Sequence, residues 1–313
     1  MSIVLTGNLS PQEYELWRVA LHAHLPSGER LLVGGAERDD ATAVEIALVA
    51  NPPRGELAKY PNLRFIQSLW AGVDRLLGDA TLPANTPIAR LVDPSMAKSM
   101  LESVAAATLF VHRQFPAYLR QQQHAVWHQL PQIMASRSKV AILGYGEMAQ
   151  PAANALVALG FRVAAWGRHE RQETTVEYAW GATGLPQVLA NARILINLLP
   201  LTRSTAGILN AHLFEQLPRG SALINLGRGA HLNEADLLAA LESQQLGHAL
   251  LDVFREEPLP ADHPFWSHPR ITVLPHVAAS TDPESAAPIA VRNIAAFRAG
   301  EPLTGLVSRA LGY

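Results

Sequence analysis

Residues 140–149 read Val-Ala-Ile-Leu-Gly-Tyr-Gly-Glu-Met-Ala, an apolar run followed by the pattern G-x-G-x-x-A. The apolar run predicts a buried strand, and the alanine-rich sequence after it predicts a helix. In such a unit the first glycine permits a tight turn, the second lets the backbone approach a pyrophosphate, and a small third residue lets helix and strand pack closely. The N–H groups at the start of the helix favour the phosphates. The stretch predicts a dinucleotide site whose contacts include Gly144, Tyr145, Gly146, Glu147 and Met148.

Outward from this stretch, β-branched runs alternate with helical patterns along the chain. This alternation is typical of parallel sheets with helices on both faces. Strands are predicted at residues 3–6, 46–49, 63–68 and 88–92, and in a second series at 139–143, 161–166, 194–199, 222–226, 248–254 and 271–274. Helices are predicted at 12–24, 97–115, 234–243 and 283–299. The predicted fold class is α/β, with two doubly wound parallel-sheet domains.

The end of the strand predicted at 161–166 bears on the choice of cofactor, because Trp-Gly-Arg-His follows there. NAD enzymes place Asp or Glu at this strand end to bond the ribose 2′-hydroxyl, and Gly167 holds that place here. Loss of the acid removes repulsion toward a 2′-phosphate, while Arg168, with Arg171 close by, adds a planar cation suited to phosphate. A solvated basic loop is the alternative interpretation. The pattern favours NADPH, with NADH as the weaker cofactor.

The composition limits the classes of function. The 313 residues carry 25 Lys and Arg against 27 Asp and Glu, a formal net charge of -2, and 49% of them are hydrophobic. That is enough for two domains, and without a basic tract there is no reason to expect nucleic acid as a partner. The chain has no cysteine, so disulfides and cysteine metal sites are excluded, and we expect no metal. The first residues lack a signal-peptide pattern and no apolar run approaches a membrane span, which predicts a cytoplasmic protein.

Polar residues follow three of the predicted strands in the second series. Residues 223–230 read Leu-Ile-Asn-Leu-Gly-Arg-Gly-Ala, 251–260 read Leu-Asp-Val-Phe-Arg-Glu-Glu-Pro-Leu-Pro, and 273–281 read Val-Leu-Pro-His-Val-Ala-Ala-Ser-Thr. Because the carboxyl ends of parallel strands line one crevice, Arg228, Glu257 and His276 can converge although they are far apart in sequence. Each alone has an ordinary structural explanation. Their combination downstream of a dinucleotide motif predicts a catalytic group.

Together with the motif at 140–149, these segments closely resemble the D-isomer-specific 2-hydroxyacid dehydrogenases. The resemblance extends over nearly the whole chain and also rests on Ser-Leu-Trp-Ala-Gly-Val-Asp at 68–74, Leu-Ile-Asn-Leu-Leu-Pro-Leu-Thr at 195–202 and Leu-Gly-Tyr at 311–313. Within the family the chain looks most like the branch of glyoxylate and hydroxypyruvate reductases. The resemblance implies NADPH-dependent reduction of a small 2-oxoacid, glyoxylate to glycolate or hydroxypyruvate to glycerate.

The resemblance implies a role for each candidate residue. Arg228 matches the residue that holds the substrate carboxylate and carbonyl oxygen, His276 the general acid that protonates this oxygen, and Glu257 the carboxylate paired with the histidine. The implied substrate contacts are Trp70, Ala71, Gly72, Val73 and Trp127. The implied cofactor contacts, beyond the glycine motif with Gly167 and Arg168, are Leu199, Pro200, Thr202, Leu226, Gly227 and Asp252.

The resemblance also implies how the chain is divided. A flavodoxin-like substrate domain would comprise residues 1–99 and 286–313, and a Rossmann cofactor domain would comprise residues 100–285. The cofactor domain would form the interface of a homodimer, with Trp127 in a loop contributed to the pocket of the partner subunit. Ala50 and Trp70 depart from residues found in this branch at positions that can line the pocket, which leaves the preferred 2-oxoacid open.

Two other functions fit parts of the pattern. A phosphoglycerate or formate dehydrogenase would share the fold, but the former usually keeps an acid at the place of Gly167, and the latter is longer and uses a different acid–base pairing. A non-catalytic dinucleotide sensor, similar to the transcriptional corepressors of this fold, could retain all three catalytic residues. An assay of NADPH oxidation separates an enzyme from such a sensor.

Overall fold

The computed structural model describes residues 2–35, 40–172 and 174–313. The chain forms two compact units, one comprising Met1–Met96 with Thr281–Tyr313 and the other comprising Ala97–Ser280. The division predicted from the sequence placed the boundaries after residues 99 and 285. That the two units are the substrate domain and the cofactor domain stays a prediction.

A parallel sheet forms the centre of the first unit. Its strands are β1 Ser2–Gly7, β2 Arg30–Val33, β3 Val44–Ala50, β4 Phe65–Ser68 and β5 Ile88–Ala89. They lie in the order β2-β1-β3-β4-β5, and each pair of neighbours is parallel. This order is that of flavodoxin-like sheets. The flavodoxin-like fold predicted for this part of the chain is confirmed.

A larger parallel sheet forms the centre of the second unit. Its strands are β6 Lys139–Leu143, β7 Arg162–Gly167, β8 Glu177–Trp180, β9 Ala192–Asn197, β10 Ser221–Asn225, β11 Leu246–Leu251 and β12 Ile271–Val273. They lie in the order β12-β11-β10-β9-β6-β7-β8, and each pair of neighbours is parallel. Counted from β6, this is the Rossmann order 3-2-1-4-5-6 with one further strand, as predicted. The order reverses between β6 and β9, where sheets of this kind bind ligands beyond the carboxyl ends of their strands.

Helices connect the strands of both sheets. They are α1 Pro11–His22, α2 Asp74–Leu77, α3 Pro94–His112, α4 Phe115–Gln123, α5 Ala149–Ala158, α6 Gly181–Leu189, α7 Ala211–Glu215, α8 Glu234–Glu242 and α9 Pro283–Ala299. Local capping explains several of their starts, since Ser10 and Glu13 form a reciprocal capping box at α1, and the side chain of Asn233 accepts from the third residue of α8. Among the helices described, none is long and apolar enough to cross a membrane.

The core of the second unit lies on both faces of its sheet. Side chains alternate along a strand, so neighbours such as Leu195 and Ile196 in β9 enter different apolar layers. Phe214 packs in the layer that contains Leu195, and Ile142 packs in the layer that contains Ile196. Burial on both faces explains why these strands appear in the sequence as continuous apolar runs.

The elements that differ from the prediction have local causes. The helix predicted at 97–115 begins at Pro94 and ends at His112, and α4 follows as a separate helix because Gln114 between them has a left-handed backbone with φ of 58°. The strands β2 and β8 were not predicted. Both lie at sheet edges and expose part of their side chains, so neither shows a continuous apolar run.

The last residues of the described chain complete the first unit. In α9, Asn293 donates from Nδ2 to the buried Oε1 of Gln67 in β4, at 2.7 Å. Further on, Val307 N donates to Ile88 O in strand β5, at 2.8 Å. The carboxyl-terminal segment is therefore bonded to strands β4 and β5 of the first sheet.

Candidate active site

The turn after β6 has the geometry that the glycine motif predicts. Gly144 has a positive φ of 93°, and a Cβ on it would lie 2.8 Å from Leu198 O, so a side chain is excluded by both conformation and space. A Cβ on Gly146 would meet nothing within 4 Å, which leaves the backbone at this position bare. The adjoining helix α5 begins at the buried Ala149, and Met148 before it provides no side-chain cap. A bare backbone beside an uncapped helix start fits a bound pyrophosphate.

Arg168 lies close to Thr202, another predicted cofactor contact, and to Ser204. Its Nη2 is 3.4 Å from Thr202 Oγ1 and 3.2 Å from Ser204 Oγ. Thr205 fixes this segment, because its Oγ1 donates to Pro200 O at 2.8 Å and accepts from Thr202 N at 2.8 Å. The loop after β7 and the loop after β9 thus bring Arg168 and Thr202 together at the carboxyl edge of the sheet.

The aromatic residue of the glycine motif supports the basic loop after β7. The guanidinium of Arg171 lies over the ring of Tyr145, 5.6 Å from its centroid, and Tyr145 Oη is 3.0 Å from Thr175 Oγ1. The loop therefore carries two arginines whose positions are defined by polar and aromatic contacts. This charge suits a 2′-phosphorylated dinucleotide better than one that ends in a neutral ribose.

The strongest catalytic feature is a histidine–carboxylate pair after strands β11 and β12. His276 Nδ1 is 2.9 Å from Glu257 Oε2, and Glu257 Oε1 accepts from Phe254 N at 2.9 Å. The two contacts fix the carboxylate and therefore the ring. The His276 side chain is 48% exposed, and its Nε2 has no hydrogen-bond partner among the described residues. This nitrogen is the one that can reach a substrate.

Asp252 positions the segment that carries His276. Its carboxylate is 1% exposed and accepts from Val277 N at 2.8 Å and from Ala278 N at 3.0 Å. His276 itself has a left-handed backbone with φ of 56°, and these two bonds begin at the next residue. Burial raises the pKa of Asp252, while the two N–H donors and His276 oppose that rise. The structure gives Asp252 a definite positioning contact; its predicted contact with the cofactor stays a prediction.

Arg228 follows β10, the strand beside β11. Its Nη1 donates to Gly227 O at 2.8 Å, and its backbone N donates to His231 Nδ1 at 3.2 Å. The next residue must be glycine, because a Cβ on Gly229 would fall on the backbone of Phe254, far inside the 3.0 Å below which real Cβ atoms are essentially never found. The loop of Arg228 is therefore packed against the loop that leads to Glu257.

Sequence reasoning missed the buried polar network beneath the Arg228 loop. Asn197 Nδ2 lies 2.9 Å from both Asn225 Oδ1 and His231 Nδ1, and all three side chains are fully buried. Asn225 Nδ2 in turn donates to Arg228 O at 3.2 Å. The available signal was an asparagine at the end of each of two apolar strands. Buried amides of this kind are retained only where they have partners.

The remaining predicted substrate contacts lie in two places. Trp70, Ala71, Gly72 and Val73 form the loop between β4 and α2 in the first unit, where Trp70 packs edge-to-face on Trp17 at 6.4 Å. Trp127 lies in the second unit, in the loop after α4, and is 95% exposed.

Three features together define the class of protein. They are the strand order of this sheet, its dinucleotide turn, and the histidine–carboxylate pair at its carboxyl edge. The family model for the D-isomer specific 2-hydroxyacid dehydrogenase NAD-binding domain matches residues 105–278. The chain belongs to this family.

Among its relatives, the chain is 42% identical over 306 residues to glyoxylate/hydroxypyruvate reductase A of Yersinia enterocolitica, covering 96% of this chain and 97% of that protein. It is 42% identical to the protein of the same name from Serratia proteamaculans over 304 residues, covering 96% of each chain.

Two solved structures of the family share this fold over the full length of the chain. An NADPH-dependent glyoxylate/hydroxypyruvate reductase of Sinorhizobium meliloti, in complex with NADP and sulfate, superposes with a TM-score of 0.92 at 36% identity and covers all of both chains. A D-isomer specific 2-hydroxyacid dehydrogenase of Xanthobacter autotrophicus, in complex with NADPH and MES, has a TM-score of 0.93 at 36% identity over 100% of this chain and 99% of that one.

Proposed function

We propose that this chain catalyses the NADPH-dependent reduction of small 2-oxoacids, converting glyoxylate to glycolate and hydroxypyruvate to glycerate. The observation that carries the proposal is the pair of His276 and Glu257, held at 2.9 Å at the edge of a sheet whose first turn is built for a dinucleotide. The names of relatives that are 42% identical over nearly the full chain support this class of substrate.

Arg228 binds the substrate in this proposal. The planar guanidinium of Arg228 can donate two parallel bonds to a 2-oxoacid, to its carboxylate and its carbonyl oxygen. The loop 70–73 stays a predicted substrate contact of the first unit, where Ala71 and Gly72 are small and leave backbone N–H groups accessible to a carboxylate.

His276 supplies the proton. Glu257 holds Nδ1, so Nε2 donates its proton to the carbonyl oxygen as the substrate carbon is reduced, and the carbonyl becomes the hydroxyl group of the 2-hydroxyacid product. When bound, NADPH supplies the hydride for this carbon. Protonation prevents an alkoxide from accumulating, and Glu257 holds the imidazole ring in place for the transfer.

We further propose that NADPH is preferred to NADH. Gly167 stands where NAD enzymes carry an acid, and Arg168 and Arg171 provide two positive charges in the same loop. The complexes of two structural relatives with NADPH or NADP support the same choice.

A panel of 2-oxoacids assayed with NADPH and with NADH tests the proposal. We expect glyoxylate and hydroxypyruvate to give the highest kcat/KM, and NADPH to exceed NADH by about tenfold or more. Binding of NADPH without turnover of any 2-oxoacid would instead identify a dinucleotide sensor. Turnover of phosphoglycerate or formate alone would place the chain in another branch of the family.

The cofactor unit also has a surface suited to a second copy of the chain. Large apolar side chains are exposed along the end of α3, in α4 and in the loop after it, namely Leu109, Phe115, Leu119, Val126, Trp127 and Met134. An exposed apolar surface of this kind is typical of an interface. We propose a homodimer through it, with Trp127 contributed to the partner's substrate site. The cytoplasmic location expected from the sequence stays a prediction.

Sedimentation measures this assembly directly. The unaltered chain should sediment as a dimer, and the double variant Phe115→Glu/Leu119→Glu should shift toward monomer because two charges would be buried. Leu159→Glu is the matched control, since Leu159 is 44% exposed at the end of α5, outside the proposed interface. A monomeric unaltered chain, or equal effects of both variants, would contradict the proposal.

A further inference from the structure

The space beside Gly167 is filled by a neighbouring side chain. A Cβ at position 167 would fall on the hydroxyl of Tyr178, far inside the 3.0 Å limit, and would lie 3.2 Å from Tyr178 Cζ. Gly167 is not among the residues with positive φ, so its backbone conformation is open to any residue. What excludes a side chain at this position is therefore Tyr178, not the backbone.

Several contacts fix the position of Tyr178. It lies in the edge strand β8, paired with Ala165 of β7, and its Oη donates to His169 O at 2.7 Å. Its ring packs on that of Tyr145 with centroids 5.7 Å apart. Burial raises the pKa of Tyr178 and so keeps the phenol protonated for this bond, although Arg171 opposes the rise.

The same hydroxyl organises the basic loop. His169 follows Arg168, so the bond from Tyr178 to His169 O fixes the backbone next to the arginine that contacts Thr202 and Ser204. Arg171 stacks on Tyr145, which is the ring that Tyr178 packs against. The two tyrosines thus connect the glycine motif to both arginines of the loop.

We propose that Tyr178 is a specificity-determining residue. It occupies the space that an acidic side chain at position 167 would need, and the site therefore favours a 2′-phosphorylated adenine dinucleotide. The inference rests on the proposed function. It explains why the acid typical of NAD enzymes cannot be regained here by one substitution. A side chain at position 167 requires Tyr178 to move, and that movement breaks the bond that positions the Arg168 loop.

Two probes measure the effect without turnover. Calorimetric titration with adenosine 2′,5′-bisphosphate and with adenosine 5′-monophosphate (AMP), which differ only in the 2′-phosphate, reports binding of that phosphate separately from binding of the rest of the nucleotide. In the unaltered protein we expect the bisphosphate to bind more tightly than AMP. Gly167→Ala should weaken the bisphosphate by about tenfold, because even one methyl group displaces Tyr178.

The decisive comparison is a double-mutant cycle. Tyr178→Phe removes the atom that a Cβ would strike and should alone weaken the bisphosphate only about threefold. In the Tyr178→Phe background, adding Gly167→Ala should weaken binding of the bisphosphate little further. If the losses of affinity in the two single variants add, the proposal is overturned. Gly167→Asp combined with Tyr178→Phe should bind AMP about tenfold more tightly than Gly167→Asp alone, and equal binding would overturn the proposal.

Two controls keep this test separate from the proposed function. Tyr14→Phe is matched to Tyr178→Phe, because the Tyr14 hydroxyl also donates to a backbone carbonyl, Gly7 O at 2.8 Å, and it should leave nucleotide binding unchanged. The same cycle measured by thermal unfolding without nucleotide should show that residues 167 and 178 are coupled. If this coupling is present but the unaltered protein binds both probes equally, the proposed preference for NADPH is wrong. The steric conflict between Tyr178 and a side chain at position 167 is then still correct. Absence of coupling in both measurements would overturn the role of Tyr178.

Discussion

Arg228 is the residue on which substrate binding depends in the proposed reaction. We expect Arg228→Lys to lower kcat/KM for glyoxylate by roughly tenfold to a hundredfold, because an ammonium cannot reproduce the two parallel bonds, each a charge-assisted contact worth about 1.5–3 kcal/mol. Steady-state kinetics with saturating NADPH check this. Arg219→Lys is the control, since Arg219 is exposed and donates to the backbone oxygen of Ser243. Unchanged kinetics for Arg228→Lys would mean that another group holds the carboxylate.

In the proposed reaction His276 donates the proton, so its loss should act on the chemical step. His276→Ala should reduce kcat by about 10²–10⁴-fold, which is the usual contribution of general acid catalysis. NADPH binding should change little. His212→Ala, in the exposed part of α7, is the matched control. If His276→Ala kept most of its kcat, a water molecule or another side chain would be the acid.

At the scale of residues, the sequence was sufficient to identify side chains whose chemical type suggests catalysis. Arg228, Glu257 and His276 follow apolar strands as polar residues, and strand-end position was enough to select them. Tyr178 and His231 could not be selected in this way, because their contacts with Gly167 and Asn197 join segments that become neighbours only in the folded sheet. A contact between separate strands leaves no local pattern.

At the scale of elements, the ends of β11 and β12 are joined by Asp252. We expect Asp252→Asn to lower the free energy of unfolding by about 1–3 kcal/mol, because the amide nitrogen would face a backbone N–H that loses its acceptor. It should also reduce kcat more than it raises KM, because the bonds to Val277 and Ala278 hold the segment of His276. Urea unfolding and steady-state kinetics give the two quantities. Asp262→Asn, at an exposed position, should change neither.

Elements with a strong periodic signal were predictable, whereas the edge strands β2 and β8 were not. The strand predicted at 139–143 and the helix predicted at 283–299 have these bounds in the structure, because a buried strand and a capped helix each leave a strong periodic signal. The strand predicted at 248–254 ends at Leu251. There, the apolar residues Val253 and Phe254 are buried in the following loop and resemble a continued strand.

At the scale of the whole molecule, the buried His248 makes stability depend on pH. Burial, then the charges of Arg120 and His268, lower its pKa from 6.5 to about 4. The folded protein therefore resists protonation that the unfolded chain accepts, so this stabilisation is complete above about pH 6.5 and is lost as the pH falls toward 4. Between about pH 7 and about pH 5 the free energy of unfolding should fall by roughly 2 kcal/mol from this group.

Urea unfolding at both pH values checks the dependence on His248. His248→Gln should flatten it, because glutamine can keep a bond to Thr272 Oγ1, which lies 2.9 Å from His248 Nε2, and does not titrate. His212→Gln serves as the exposed control and should leave the slope unchanged. An equal slope in His248→Gln and in the unaltered protein would assign the acid sensitivity to other groups.

The interrupted first unit has a consequence for how the protein is made on the ribosome. The second unit, Ala97–Ser280, is continuous, so all of its strands are available once residue 280 has left the exit tunnel. The first unit begins earlier in the chain, but its folding cannot be completed at that point. The buried bond of Gln67 forms only after Asn293 has been translated, and the bond from Val307 N to Ile88 O forms later still. During that interval the nascent chain carries a finished nucleotide-binding sheet joined to an incomplete one. Chaperones would therefore meet the amino-terminal strands as the exposed, late-folding part of this polypeptide.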